Sequence, residues 1–192
     1  MADPAPEPYV SYAEYLALEE RSVTRHEWLE GVIYDMAGGT PDHVGLMGAI
    51  AGELRVQLRG KRCRVFPADL KIRVLATGLA TYPDASVVCG RLELDPGDKN
   101  AATNPVLLVE VLSDSSEAYD RGEKFAHYRR IPSLQEYVLV SQREPLIEVF
   151  RKNEAGKWVL AEEAGKGEVA PLASIGCSLS VDEVYADPLR EP

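Results

Sequence analysis

Apolar and polar positions recur with two different periods along this chain, and the switches between them divide it into elements. Ser11 and Glu14 have the spacing of a capping box, which predicts a helix starting there. Short apolar runs over 27–36 read as strands. From Pro41 to position 58 the period is helical: Val44, Met47, Ala51, Leu54 and Leu58 form one stripe, Thr40 suits the N-cap, Pro41 the first turn, and Gly60 the stop. Such a stripe is core-forming. Strands are predicted at 63–66 and 69–75, where Asp69, Lys71 and Arg73 alternate with apolar neighbours as a wet face, leaving Lys71 and Arg73 available to nucleic-acid phosphates. Segment 84–89, bounded by Pro83 and Gly90, is a further strand. The nearly continuous apolar run 105–112 suits a central strand covered on both faces.

Ser113, Asp114, Ser115 and Ser116 are good N-capping residues, and 117–130 follows with acids early and bases late, as a helix dipole prefers. Gly122 inside that helix costs about 1 kcal/mol relative to alanine, which implies a close backbone approach or a break. Strands follow at 136–141, 146–152 and 158–162, the last two joined through Asn153-Glu154-Ala155-Gly156. The predicted class is α/β (α+β), a mixed β-sheet flanked by helices. No repeat or linker interrupts the pattern, so a single domain over 1–192 is expected, with loose tails at 1–8 and 186–192.

Composition narrows this picture. A chain of 192 residues with 45% hydrophobic content can bury one substantial core. No run approaches the ~18 apolar residues of a membrane span, and the N-terminus lacks a signal-peptide pattern, so a soluble, cytoplasmic protein is expected. Cys63, Cys89 and Cys177 are widely spaced and accompanied by only three histidines. That predicts reduced, buried thiols rather than a disulfide framework or a zinc site. The formal net charge of −10 repels nucleic acid at long range. Arg55, Arg59, Lys61, Arg62 and Arg64, and separately Arg129 and Arg130, are local basic clusters, of a kind that most often forms a solvated face.

One residue breaks the hydrophobic pattern. Glu110 lies inside an apolar run, where an ionised, unpaired carboxylate would be destabilising by several kcal/mol, so it must meet a cation, a donor or a metal. Lys124 is the nearest candidate in sequence, and helical spacing puts it near one face with Tyr119 (or Asp120), Phe125 and Tyr128. Asp84 opens a neighbouring strand. Two acids at the ends of adjacent strands with a lysine beside them suit a divalent-metal site for cutting phosphodiesters. Taken singly, each residue has a plainer reading: Asp84 as a turn residue after proline, Glu110 as the partner of a structural arginine, Lys124 as part of a charged helix face.

Tyr82-Pro83-Asp84, Leu108-Val109-Glu110-Val111-Leu112-Ser113, Tyr119-Asp120-Arg121-Gly122-Glu123-Lys124, Tyr128-Arg129 and Ile131-Pro132-Ser133-Leu134-Gln135-Glu136-Tyr137 together resemble the Uma2 family, also called DUF820. The similarity runs from Tyr9 to about Val184. It implies a restriction-endonuclease-like fold of the PD-(D/E)XK superfamily and a Mg²⁺-dependent endonuclease, Mn²⁺ substituting, with DNA as substrate. By the same resemblance, Asp84 and Glu110 are metal ligands together with the carbonyl of Val111, and Lys124 orients the attacking water or neutralises the phosphate. The resemblance adds Glu27, in His26-Glu27-Trp28-Leu29-Glu30-Gly31, and His43 as a phosphate contact or general acid. Two departures stand out: His26 replaces the usual aromatic, and Leu112 stands two residues after Glu110, where the superfamily motif has lysine. Lys124 takes the lysine's place from the helix. Exposed edge strands favour a homodimer, and no protein partner is identifiable. The alternatives are a nuclease-fold binding or regulatory protein that cleaves poorly, and a metal-dependent hydrolase of small phosphate esters.

Overall fold

A computed structural model describes residues 9–36, 38–187 and 189; the tail expected at 1–8, and positions 188 and 190–192, lie outside the described residues. The central unit is α2 (Pro41–Gln57), β3 (Cys63–Pro67), β6 (Ala85–Cys89), β9 (Leu107–Leu112), a broken helix over residues 117–128, and β10 (Glu136–Ser141). With β11 (Leu146–Lys152) and β12 (Trp158–Gly165) these strands form a six-stranded sheet ordered β12-β11-β10-β9-β6-β3. Strand β10 runs parallel to β9 across the helical crossover, and the other pairings are antiparallel.

A second six-stranded sheet has the order β2-β1-β5-β4-β8-β7, from β1 (His26–Leu29), β2 (Val32–Asp35), β4 (Lys71–Arg73), β5 (Ala80–Thr81), β7 (Leu94–Asp95) and β8 (Asp98–Ala102). Helix α1 (Tyr12–Glu19) packs on it through Tyr15 and Trp28, and begins with the Ser11/Glu14 capping box expected from the sequence. A hairpin of β13 (Val169–Leu172) and β14 (Cys177–Ser180), then a one-turn helix (Val181–Val184), completes the described chain. The class is the expected mixed α+β. No described helix is long and apolar enough to cross a membrane.

Alternation along β9 sets the two sides of the core. Leu107, Val109 and Val111 face one cluster, in which α2 buries Leu46, Ile50, Leu54 and Leu58. Leu108 and Leu112 face the other, against Phe125, Tyr128, Ile131, Tyr137, the second sheet's Ile72, and Leu79 just before β5. Glu110 shares the parity of Leu108 and Leu112 and so points toward the broken helix and the second sheet. The ridge of α2 differs from the predicted stripe. The contact row advances four residues at a time from Leu46, while Val44 at 55% exposure faces outward.

Two further expectations are corrected. Cys63 and Cys89 stand directly opposite each other in the β3–β6 register and form a disulfide, whereas Cys177 is free and buried. Lys71 and Arg73 do not form a wet face. Lys71 is buried and paired with Asp98 at 2.9 Å, and Arg73 is paired with Asp95 at 3.3 Å and stacked over Tyr12, so neither is available to an external phosphate.

Candidate active site

The site begins where strand pairing stops. Antiparallel register matches Ala85 with Val109, and β6 starts at Ala85, so the β6-facing edge of Val111 has no backbone partner on that strand. Asp84 fills the gap: the Val111 N–H donates to its Oδ2 at 2.7 Å. In a strand the N–H and C=O of one residue project to the same edge, so the Val111 carbonyl opens on Asp84's side. One strand end thus carries Asp84 and Glu110, with the Val111 carbonyl projecting to the Asp84 edge.

Lys124 reaches this strand end because its helix is irregular. Residues Glu117–Tyr119 are α-helical, Asp120–Lys124 form a π-helical turn, and Phe125–Tyr128 return to α. Such a turn inserts a residue and shifts the register of the face it presents, and π-bulges concentrate at functional sites. Both Asp120 and Lys124 end up buried. A Cβ built on Gly122 would meet nothing within 4 Å, so the glycine marks the break and not a close approach.

The Lys124 Nζ lies 3.0 Å from Glu110 Oε1, 3.0 Å from Glu27 Oε1 on β1, and 3.5 Å from Asp120 Oδ1. Tyr128 donates to the same Oε1 of Glu110 at 2.7 Å. Thr81, on β5, donates to Glu27 Oε1, and Tyr119 lies 3.5 Å from Glu27 Oε2. Both partners of the central pair are nearly inaccessible, Glu110 at 4% and Lys124 at 5% exposure.

Three carboxylates, Glu110, Glu27 and Asp120, therefore surround one ammonium. Burial, with the nearby charges of Asp120 and Asp84, pushes the Glu110 carboxyl well above the ordinary range even though Lys124 opposes the shift. Asp120 is raised by burial too. Burial alone would depress Lys124, but Glu110, Glu27 and Asp120 outweigh it and hold the ammonium charged. The lysine is thus ionised, and the surplus negative charge calls for a proton or a further cation. Glu136 is a useful contrast: it is equally buried, but Arg151 and the backbone N–H groups of Ala173 and Ser174 satisfy it, as befits a structural acid.

His43 comes from the N-terminus of α2, where Thr40 is the N-cap and Pro41 opens the first turn, as the sequence predicts. Its Nε2 lies 3.1 Å from Asp84 Oδ1. That contact raises the imidazole pKa, while burial lowers it. On its other side, Nδ1 is 3.0 Å from Nε2 of Gln142.

The structure thus brings Asp84, Glu110, Lys124, Glu27 and His43 close together, with the Val111 N–H bonded to Asp84. It adds Asp120, Tyr128, Thr81 and Gln142. Of these, only Asp120 and Tyr128 left a trace in sequence, as neighbours of Lys124 on one helical face. Among the described residues no three histidine, cysteine or acidic side chains converge tightly enough to form a complete metal cage. The donor set still fits Mg²⁺, which takes hard oxygen ligands, keeps several waters, and is commonly held by one or two carboxylates.

A model of the Uma2 family, described as "Putative restriction endonuclease", matches residues 12–182, and the chain belongs to that family. Two relatives from Synechocystis sp. strain PCC 6803, both described as uncharacterized, are similar to it. The protein slr1290 is 40% identical over 184 residues, covering 94% of each chain. The protein sll1609 is 32% identical over 154 residues, covering 80% of this chain and 87% of its own. Among solved structures, a crystal structure described as a putative nuclease belonging to DUF820 from Anabaena variabilis superposes with a TM-score of 0.72. It has 18% identity and covers 92% of this chain and 97% of its own, a likeness of fold.

Proposed function

We propose that the chain, acting as a single domain, is a divalent-metal-dependent endonuclease that hydrolyses DNA phosphodiesters at the Asp84–Glu110 strand end. The observation that carries this reading is the excess of buried carboxylate over ammonium: Glu110, Glu27 and Asp120 around Lys124, with Asp84 close enough to raise Glu110 and itself paired with His43. A structural acid is instead satisfied within the fold, as Glu136 is by Arg151 and by the N–H groups of Ala173 and Ser174.

In this reading Asp84, Glu110 and the Val111 carbonyl hold Mg²⁺, or Mn²⁺ in its place. The bound ion supplies Lewis-acid polarisation of the phosphate and a lowered pKa for the attacking water. The chain's own residues do the rest. Val111 N–H and His43 fix the two oxygens of Asp84. Tyr128 holds Oε1 of Glu110, turning the carboxylate so that Oε2 is the oxygen available for coordination. Lys124 neutralises the negative charge that grows on the phosphate in the transition state, an electrostatic role that suits a buried ammonium. Glu27, gripped by Thr81, keeps Lys124 oriented between its partners.

DNA as substrate follows from the family's description. The net charge of −10 means that affinity must come from the metal site and from local basic surface. Edge strands β3 and β12 favour a homodimer, which suits two cuts in a duplex. A cytoplasmic location belongs to the same reading, with the Cys63–Cys89 disulfide weighing against it, because such bonds are rare there. A second reading, a nuclease-fold binding protein, is favoured by the three carboxylates that already engage Lys124.

The test is cleavage of supercoiled plasmid with Mg²⁺ by wild type and by Glu110→Gln. The nuclease reading expects nicking or linearisation by wild type, abolished by EDTA, and at least a hundredfold loss in the variant with its thermal unfolding intact. Equal residual activity in both proteins would assign the cleavage to a contaminant and leave the binding reading.

A further inference from the structure

Gln142 follows β10 and lies in no motif, yet its amide touches three parts of the site's frame. Its Nε2 donates to the Leu112 carbonyl at 2.9 Å and faces His43 Nδ1 at 3.0 Å, while its Oε1 accepts from the Thr40 hydroxyl at 3.1 Å. Thr40 Oγ1 in turn accepts from the backbone N–H of His43 at 3.2 Å, which closes a ring of hydrogen bonds around the start of α2.

The ring leaves little freedom in where protons sit. Turning the amide over would set its oxygen against the Leu112 carbonyl oxygen, two acceptors in contact, so the NH₂ group must face Leu112 and His43. A donor facing Nδ1 requires that nitrogen to be an acceptor. The imidazole proton is then on Nε2, which donates it to Asp84 Oδ1 at 3.1 Å. With the Val111 N–H on Oδ2 at 2.7 Å, both oxygens of Asp84 are tied to the protein frame, one from β9 and one from α2.

We propose that Gln142 is a positioning residue of this site: its side-chain amide locks His43 in the tautomer protonated at Nε2 and, through His43, sets the orientation of Asp84. Its importance for catalysis rests on the reading of Asp84 as a metal ligand, but the lock itself does not. Outer partners of this kind orient the groups that bind a metal, and their loss typically weakens metal affinity by about 10–100-fold.

The experiment is long-range ¹H–¹⁵N spectroscopy of the ¹⁵N-labelled full chain above neutral pH. The chain has three histidines, His26, His43 and His127, and the His43 signals are those missing in His43→Asn. Wild type is expected to show Nδ1 bare and Nε2 protonated at His43. Gln142→Met, similar in length but with no amide, is expected to show the two tautomers mixed and Mn²⁺ affinity lowered about tenfold. A proton on Nδ1 in wild type, or an unchanged His43 pattern in Gln142→Met, overturns the proposal. Gln142→Ala serves if the methionine variant does not fold; if neither folds, Gln142 is a stability residue and the positioning role is overturned. A wild type that binds no Mn²⁺ defeats the metal-site reading alone, since the lock is judged on the nitrogen spectra.

Discussion

Replacing Lys124 by methionine removes the ammonium shared by Glu27, Glu110 and Asp120 while keeping most of the side chain's volume. That ammonium stands 3.0, 3.0 and 3.5 Å from the three carboxylates, in a cluster with almost no access to water. Leaving one side of a buried ion pair uncompensated is destabilising by about 3–5 kcal/mol, equivalent to a fall in Tm on the order of 10 °C for a domain of this size. The pH dependence follows from the raised pKa of Glu110. An acid whose folded pKa lies above its unfolded value contributes stability below the unfolded pKa and loses it as pH rises through the folded one. The stability deficit of Lys124→Met should therefore be smaller at mildly acidic pH and grow toward neutral and alkaline pH. Urea unfolding followed by circular dichroism, in EDTA and across pH 5–8, measures this. A variant as stable as wild type throughout that range would refute the reasoning, because it would mean that the acids are hydrated or not held together. Added Mn²⁺ should recover part of the stability, since a second cation answers the same excess charge.

Other perturbations test separate links. Tyr128→Phe removes a buried donor to Glu110, and urea unfolding should show a loss of about 1.5–3 kcal/mol with a further rise in the Glu110 pKa. Reduction of the Cys63–Cys89 disulfide, which spans 26 residues, should lower stability by about 2–4 kcal/mol in denaturant titrations with and without dithiothreitol; no change would mean that the bond does not form in solution. Leu54→Ala, in the fully buried ridge of α2, should be destabilising by about 2–5 kcal/mol, whereas Val44→Ala at an exposed position should change thermal unfolding by well under 1 kcal/mol.

What the sequence revealed and what it concealed follow from how local each signal is. Strands β10 and β11 run over the residues that their β-branched, alternating patterns predict, and the Ser11 and Thr40 caps are legible because a cap involves only neighbouring residues. Glu110 stood out because a carboxylate within an apolar run is chemically out of place, and Lys124 because helical spacing carried it to the same side. The chain gives no local sign of the partners that come from elsewhere. Gln142 sits in an ordinary polar turn, Thr81 on a strand of two residues, and the disulfide depends on a register that no count of residues between cysteines reveals. Lys71 and Arg73 misled for the same reason: alternation predicts a face, and only the packing of α1 and the β7–β8 hairpin decides whether water covers it. The choice between Val44 and Leu46 turned on a shift of two positions along one helix, which periodicity over so few turns does not resolve.

The most direct test of the central claim is calorimetric titration of Mn²⁺ into the wild-type chain and into Asp84→Ala. A divalent-metal site at the Asp84–Glu110 strand end predicts saturable binding by wild type that the variant loses, with proton release as the cation displaces the proton held among the buried acids. No binding by wild type, or equal binding by both proteins, would contradict it.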